Sequence, residues 1–125
     1  MPDTTGHYLD ERMLKCIEIC MDCHKACVQT VPYCLQTGGM HAEPNHIRLM
    51  LDCAEICETS ANFMIRGSEL HHLTCGACAE VCDRCAEDCE RMGDDETMRR
   101  CAETCRRCAQ SCHQMAGAMA GAGTR

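Results

Sequence analysis

Three features of this chain predict an all-α fold, an up-down-up-down antiparallel four-helix bundle with a cysteine-lined core. First, cysteines recur at alternating spacings of four and three, in CIEICMDCHKAC at 16–27, CAEVCDRCAEDC at 78–89 and CAETCRRCAQSC at 101–112. This spacing puts each tetrad on a helical stripe about 60° wide. Second, Gly and Pro cut the chain into four stretches with short connections, which require antiparallel neighbours. Third, the 125 residues suit one domain, residues 1–125, with a single core.

The first helix is expected at about 8–36, ended by Gly38–Gly39. Pro32 should kink it, because it lacks an N–H and crowds the carbonyl of Val28. The second helix, at about 44–66, has Pro44 in its first turn and closes at Arg66–Gly67–Ser68. Ser68 is placed to cap the third, at about 69–92, with Glu69 in its first turn. Gly93 ends that helix and Asp94 is read as the N-cap of the fourth, at about 95–118. The small residues of AGAMAGAGTR lead to a C-terminal tail, 119–125, expected to be flexible.

Continuing the spacing along each helix gives four seams. Helix 1 offers Leu9, Met13, Cys16, Cys20, Cys23, Cys27, Thr30 and Cys34; helix 2 offers His46, Met50, Cys53, Cys57, Ser60 and Met64. Helix 3 follows with His71, Cys75, Cys78, Cys82, Cys85, Cys89 and Met92, and helix 4 with Met98, Cys101, Cys105, Cys108, Cys112, Met115 and Met119. All 16 cysteines fall on these seams, where a bundle puts its core residues.

Outer faces differ. Helices 3 and 4 carry Arg84, Glu87, Arg91, Arg99, Glu103 and Arg106, a solvated surface. Helix 1 has a second apolar row of Leu14, Ile17, Met21, Val28 and Leu35, and helix 2 one of Ile47, Leu51, Ala54, Ala61 and Ile65. A single bundle has no second core for these rows, so they imply a homo-oligomer through helices 1 and 2.

With 16 Cys and 10 Met against no Trp, one Phe and two Tyr, the composition is that of a disulfide scaffold or a metal binder. MPDTTGHYLDER lacks the basic and apolar regions of a secretory signal, so a cytoplasmic location is expected. There, dense cysteine means metal or redox chemistry more often than structural bridges. No apolar run approaches a membrane span. The net charge of −7, with bases interleaved among acids, argues against nucleic acid.

Core filler would be Leu and Ile, which lie outside instead. Structural disulfides do not need repeated thiols at i and i+4. CxxxCxxC resembles a radical-SAM cluster string, but here it continues an amphipathic repeat in a chain too short for a barrel. Ferredoxin spacing also differs. Zinc favours closed tetrahedra on knuckles or turns, whereas a tube of thiols with thioether and imidazole ends suits Cu(I). Bridging thiolates would hold about one Cu(I) per cysteine. Their charges would then cancel, and the empty protein would keep neutral thiols and release protons on loading.

The cysteine-lined bundle, the CxxxCxxCxxxC tetrads of helices 1, 3 and 4 and the short CAEIC of helix 2 resemble the bacterial copper storage proteins. These are also described as cysteine-rich four-helix-bundle copper-binding proteins of the DUF326 type. The likeness covers about residues 8–118. It implies storage of many Cu(I) ions, a cytosolic branch for a chain without a signal, and a homotetramer. Carried over, the ligands are Cys16, Cys20, Cys23, Cys27, Cys34, Cys53, Cys57, Cys75, Cys78, Cys82, Cys85, Cys89, Cys101, Cys105, Cys108 and Cys112.

The resemblance also implies entry or auxiliary ligands at the bundle ends. The candidates are Met13, Met64, His71, Met115 and Met119 at one end, and His46, Met50, Met92 and Met98 at the other. His46, His71, Met64 and Met115 head this set. The first end is expected to be the mouth, because Cys34 and the Pro32 kink close the other. His24 and His72 fall near the stripe edge, and His7, His41 and His113 are expected in solvent. No nucleophile–base pair or phosphate loop supports catalysis. Two alternatives stay open: a redox-responsive helical protein with interhelical disulfides, and storage or detoxification of another soft metal such as zinc.

Overall fold

The computed structural model describes the backbone of residues 10–123 and the side chains of 10–117. The chain forms α1 (Glu11–Thr37), a 3₁₀ turn (Gly39–Ala42), α2 (Pro44–Ile65), α3 (His71–Glu90) and α4 (Glu96–Gly123). Each helix packs on two neighbours, in the ring α1–α2–α3–α4, and the diagonal pairs meet only through core side chains, as Cys57 and Cys108 do at 3.7 Å. With these short connections, that ring is the up-down-up-down bundle. Among the described residues there is no strand, and no helix is long and apolar enough to cross a membrane.

Local chemistry sets the helix ends. Asp10 caps α1 by accepting from the Met13 N–H at 2.8 Å, and α1 runs unbroken through Pro32. Gly38, at φ 77°, ends it by donating its N–H to the Cys34 carbonyl. The expected first turn, around Tyr8 and Leu9, lies outside the described residues. At the end of α2, Gly67 (φ 68°) donates to the Met64 carbonyl and Ser68 to that of Phe63. These are the paired bonds of a Schellman stop, which satisfy carbonyls the helix leaves free.

Three expectations at the ends need correction. α3 begins at His71 rather than 69, because Ser68 Oγ accepts from the Leu70 N–H and the Ser68 carbonyl from the His71 N–H, closing a separate turn. The cap of α4 is Asp95, not Asp94: Asp95 Oδ1 accepts from the Met98 N–H at 3.1 Å. The choice is tertiary, since Asp95 Oδ2 also accepts from the Tyr33 hydroxyl (2.7 Å) and the His41 ring (2.8 Å). Finally, α4 continues to Gly123 instead of ending near 118. Alanine, the strongest helix former, carries the backbone through part of the expected tail.

Every cysteine is buried, and none is disulfide-bonded. Beside the seam lies a row of alanines: Ala54 and Ala61 on α2, Ala79 and Ala86 on α3, Ala102 and Ala109 on α4. Ala54 and Ala61 were expected on the outer face of helix 2, yet both are buried. Small side chains beside the thiols let helices approach closely, since interaxial distance follows the side chains at the contact.

Candidate metal centre

The seams converge on a column of sulfur. Cys16, Cys75 and Cys112 form one group, and Cys112 also joins Cys20, Cys78 and Cys108. Cys78 and Cys108 are shared with Cys57 and Cys82, and Cys57 and Cys82 with Cys23 and Cys53. Cys23 and Cys53 then meet Cys27 and Cys105. Within each group the Sγ atoms lie within 4.8 Å of one another. Individual separations are 3.5 Å for Cys20–Cys112, 3.6 Å for Cys53–Cys82 and for Cys57–Cys82, and 3.8 Å for the i, i+4 pair Cys78–Cys82. These are contacts between free thiols, well beyond a covalent S–S bond.

The other cysteines, Cys34, Cys85, Cys89 and Cys101, extend the column toward the N-terminus of α2. Met50 Sδ sits 3.6 Å from Cys85 Sγ and 3.5 Å from Cys89 Sγ. Cys34 Sγ lies 3.6 Å from Met98 Sδ and 3.4 Å from His46 Nε2. His46 Nδ1–H donates to Asp88 Oδ2 at 2.5 Å. At the opposite end, Met64 Sδ is 3.8 Å from Cys75 Sγ and Ser60 Oγ is 3.3 Å from it. There His71 Nδ1–H donates to the Ser68 carbonyl at 2.8 Å.

His46, His71, Met64 and Met115 are therefore all buried at the bundle ends, with Met13, Met50 and Met98. Met92 is half-buried, while the Met119 side chain and His7 lie outside the described residues. His24 Nδ1–H donates to the Ala54 carbonyl at 2.8 Å. His72 is half-buried and His113 is exposed. His41 was expected in solvent but is largely buried, bonded to Asp95 and set edge-on to Tyr33. Asp88, Asp95 and Tyr33 were missed. Nothing linear pairs Asp88 with His46; only the register of α3 against α2 does.

Burial opposes ionisation of these thiols. Burial pushes Cys34 up to about 11. Cys105 is raised well above the usual thiol range by its hydrogen bonds with Cys101, Cys23, Cys27 and Cys53 and by burial. Cys53 is lowered, chiefly because Cys105 and Cys23 donate to it. Neighbouring sulfurs thus share protons as linked groups. Every buried side-chain nitrogen and oxygen among the described residues has a partner, and sulfur dominates the interior. Clustered thiols with thioether and imidazole at the ends suit a soft cation.

Comparison with known proteins agrees with that chemistry. Residues 9–117 match the family described as copper storage protein. The Nmul_A1745 protein of Nitrosospira multiformis superposes with a TM-score of 0.82 at 44% identity, over 87% of this chain and 98% of its own. Cu(I)-bound copper storage protein BsCsp3 gives 0.78 at 34%, over 85% and 99%. A cytosolic copper storage protein from Streptomyces lividans, carrying five coppers, gives 0.74 at 34%, over 86% and 93%. The cysteine-rich protein YhjQ of Bacillus subtilis (strain 168) is 36% identical over 66 residues, 53% of this chain and 61% of that one. The match therefore spans less than two thirds of YhjQ's length.

Proposed function

The chain belongs to the copper storage protein family, and from that premise we propose that it stores Cu(I) on the sixteen cysteines of its bundle. One observation carries the reading: adjacent sulfur groups share corners, as Cys57 and Cys82 do, along a single buried column. Shared corners are what bridging thiolates need, and they give a capacity of about one Cu(I) per cysteine. Each ion displaces a thiol proton, so the filled column stays neutral at its thiolates. The protein acts by holding ions rather than by turnover, in the cytosol like the S. lividans relative.

His46, His71, Met64 and Met115 supply end ligands in this reading. Copper enters at the Met64–His71–Met115 end, because the opposite end is tied by His41 and Tyr33 on Asp95. Copies associate as a homotetramer through α1 and α2. Supporting this, Leu14, Val28, Leu35, Leu51 and Ile65 are 49, 45, 56, 46 and 48% exposed.

The test is anaerobic titration of the reduced protein with Cu(I), read by native mass spectrometry. Saturation at roughly 14 to 20 ions per chain is expected. Saturation at only a few ions would replace storage with delivery or sensing.

A further inference from the structure

The two buried end histidines are held differently. His71 Nδ1–H donates to a neutral backbone carbonyl, that of Ser68. His46 Nδ1–H donates to the Asp88 carboxylate. A carboxylate cannot donate in return, so the proton is fixed on Nδ1 and the lone pair on Nε2. Nε2 faces Cys34 Sγ at 3.4 Å, and the Met98 thioether lies 3.6 Å from that same sulfur. Asp88 is itself anchored: Arg91 donates to its Oδ1 from Nε at 3.0 Å and from the terminal nitrogen at 2.9 Å. That terminal nitrogen is 3.7 Å from Glu43.

The geometry points to a discrete Cu(I) site of one imidazole, one thiolate and one thioether at Cys34, His46 and Met98, with Asp88 as its positioning residue. The inference rests on the storage reading above, which already counts Cys34 and His46 as ligands, and adds to it the carboxylate that orients the imidazole. The chemistry balances: Cu(I) binds Cys34 as the thiolate, one thiol proton leaves, and His46 and Met98 bind as neutral donors. An anionic acceptor orients the imidazole and raises its basicity as a ligand, which a backbone carbonyl does less strongly. Arg91 balances the Asp88 charge without touching the ligands.

Ring-nitrogen NMR of ¹⁵N-histidine-labelled full-length protein, empty and filled with Cu(I), tests this alongside competition titration against a Cu(I) chelator. In the empty parent His46 should show the Nδ1–H tautomer. Filling should shift its Nε2 resonance and leave that of exposed His113 in place. Asp88→Ala should lose the fixed tautomer and weaken one site by about 10–100-fold, with the thiolate capacity unchanged. Asp88→Asn, which keeps an acceptor oxygen, should retain the tautomer and lose less affinity. If Asp88→Ala does not fold, Asp88→Asn decides: binding like the parent overturns the proposal. An unmoved His46 Nε2 in a filled parent overturns this site alone, whereas a parent that takes up no copper overturns the storage reading with it.

Discussion

The α1–α2 half and the α3–α4 half of the bundle share one interior and differ in their exteriors, although α3 also exposes Leu73. Inside, both present thiols. Outside, α3 and α4 carry Arg84 on Glu80, and Arg106 spanning Asp83 and Glu90. The α1–α2 side instead exposes Leu14, Val28, Leu35, Leu51 and Ile65. On the proposed function, seam spacing sets what the bundle holds, while the outer rows set what it meets. The two properties are separable because their residues sit on different sides of the same helices.

The strongest break should come from Leu51→Glu with Ile65→Glu. Both positions are exposed in the single chain, so its fold survives, but charge in a buried interface costs several kcal/mol in order of magnitude. Sedimentation should show a monomer that still fills with copper; an unchanged mass would move the interface elsewhere. Second in size is Cys82→Ser with Cys105→Ser. Cys82 belongs to two sulfur groups and Cys105 to a third, so a few central ions should be lost by mass spectrometry while the oligomer persists. Serine is a hard ligand that Cu(I) does not favour, and each buried hydroxyl left without a partner costs about 1–3 kcal/mol of empty-protein stability.

A smaller effect is expected with pH. The Cys34 thiol, ordinarily near 9.0, stands at about 11 in the folded chain. Between those values the unfolded state has lost the proton and the folded state keeps it. Its contribution is therefore complete below the lower value and lost as pH rises through the upper one. Urea unfolding of the reduced, empty protein should show stability falling across that interval. Smallest is Arg106→Ala, which removes exposed contacts between α3 and α4 and should cost about 0.2–1 kcal/mol in the same assay. A larger loss would mean that the polar half depends on its surface more than on its core.

The interior was legible in the sequence because four-three spacing is the helix's own period, and sixteen thiols on four such rows leave one way to face inward. Gly38, Gly67 and Gly93 were legible as stops because each takes a positive φ that other residues resist. What escaped depended on a second chain segment. Ala54 and Ala61 read as part of an outer row until neighbouring helices close over them. His41 reads as a solvent residue until the 3₁₀ turn carries it to Asp95. Asp88 reads as one more surface acid on α3 until register sets it against His46.

Asp95 also fixes an angle. Asp94 and Asp95 are equal local choices for starting α4, and neighbouring positions on a helix point about 100° apart. If α4 began one residue earlier against the same anchors, Cys101, Cys105, Cys108 and Cys112 would swing out of the column together. With one oxygen on the Met98 N–H and the other on Tyr33 and His41, Asp95 acts as the index pin that sets the rotational phase of the last helix against the first.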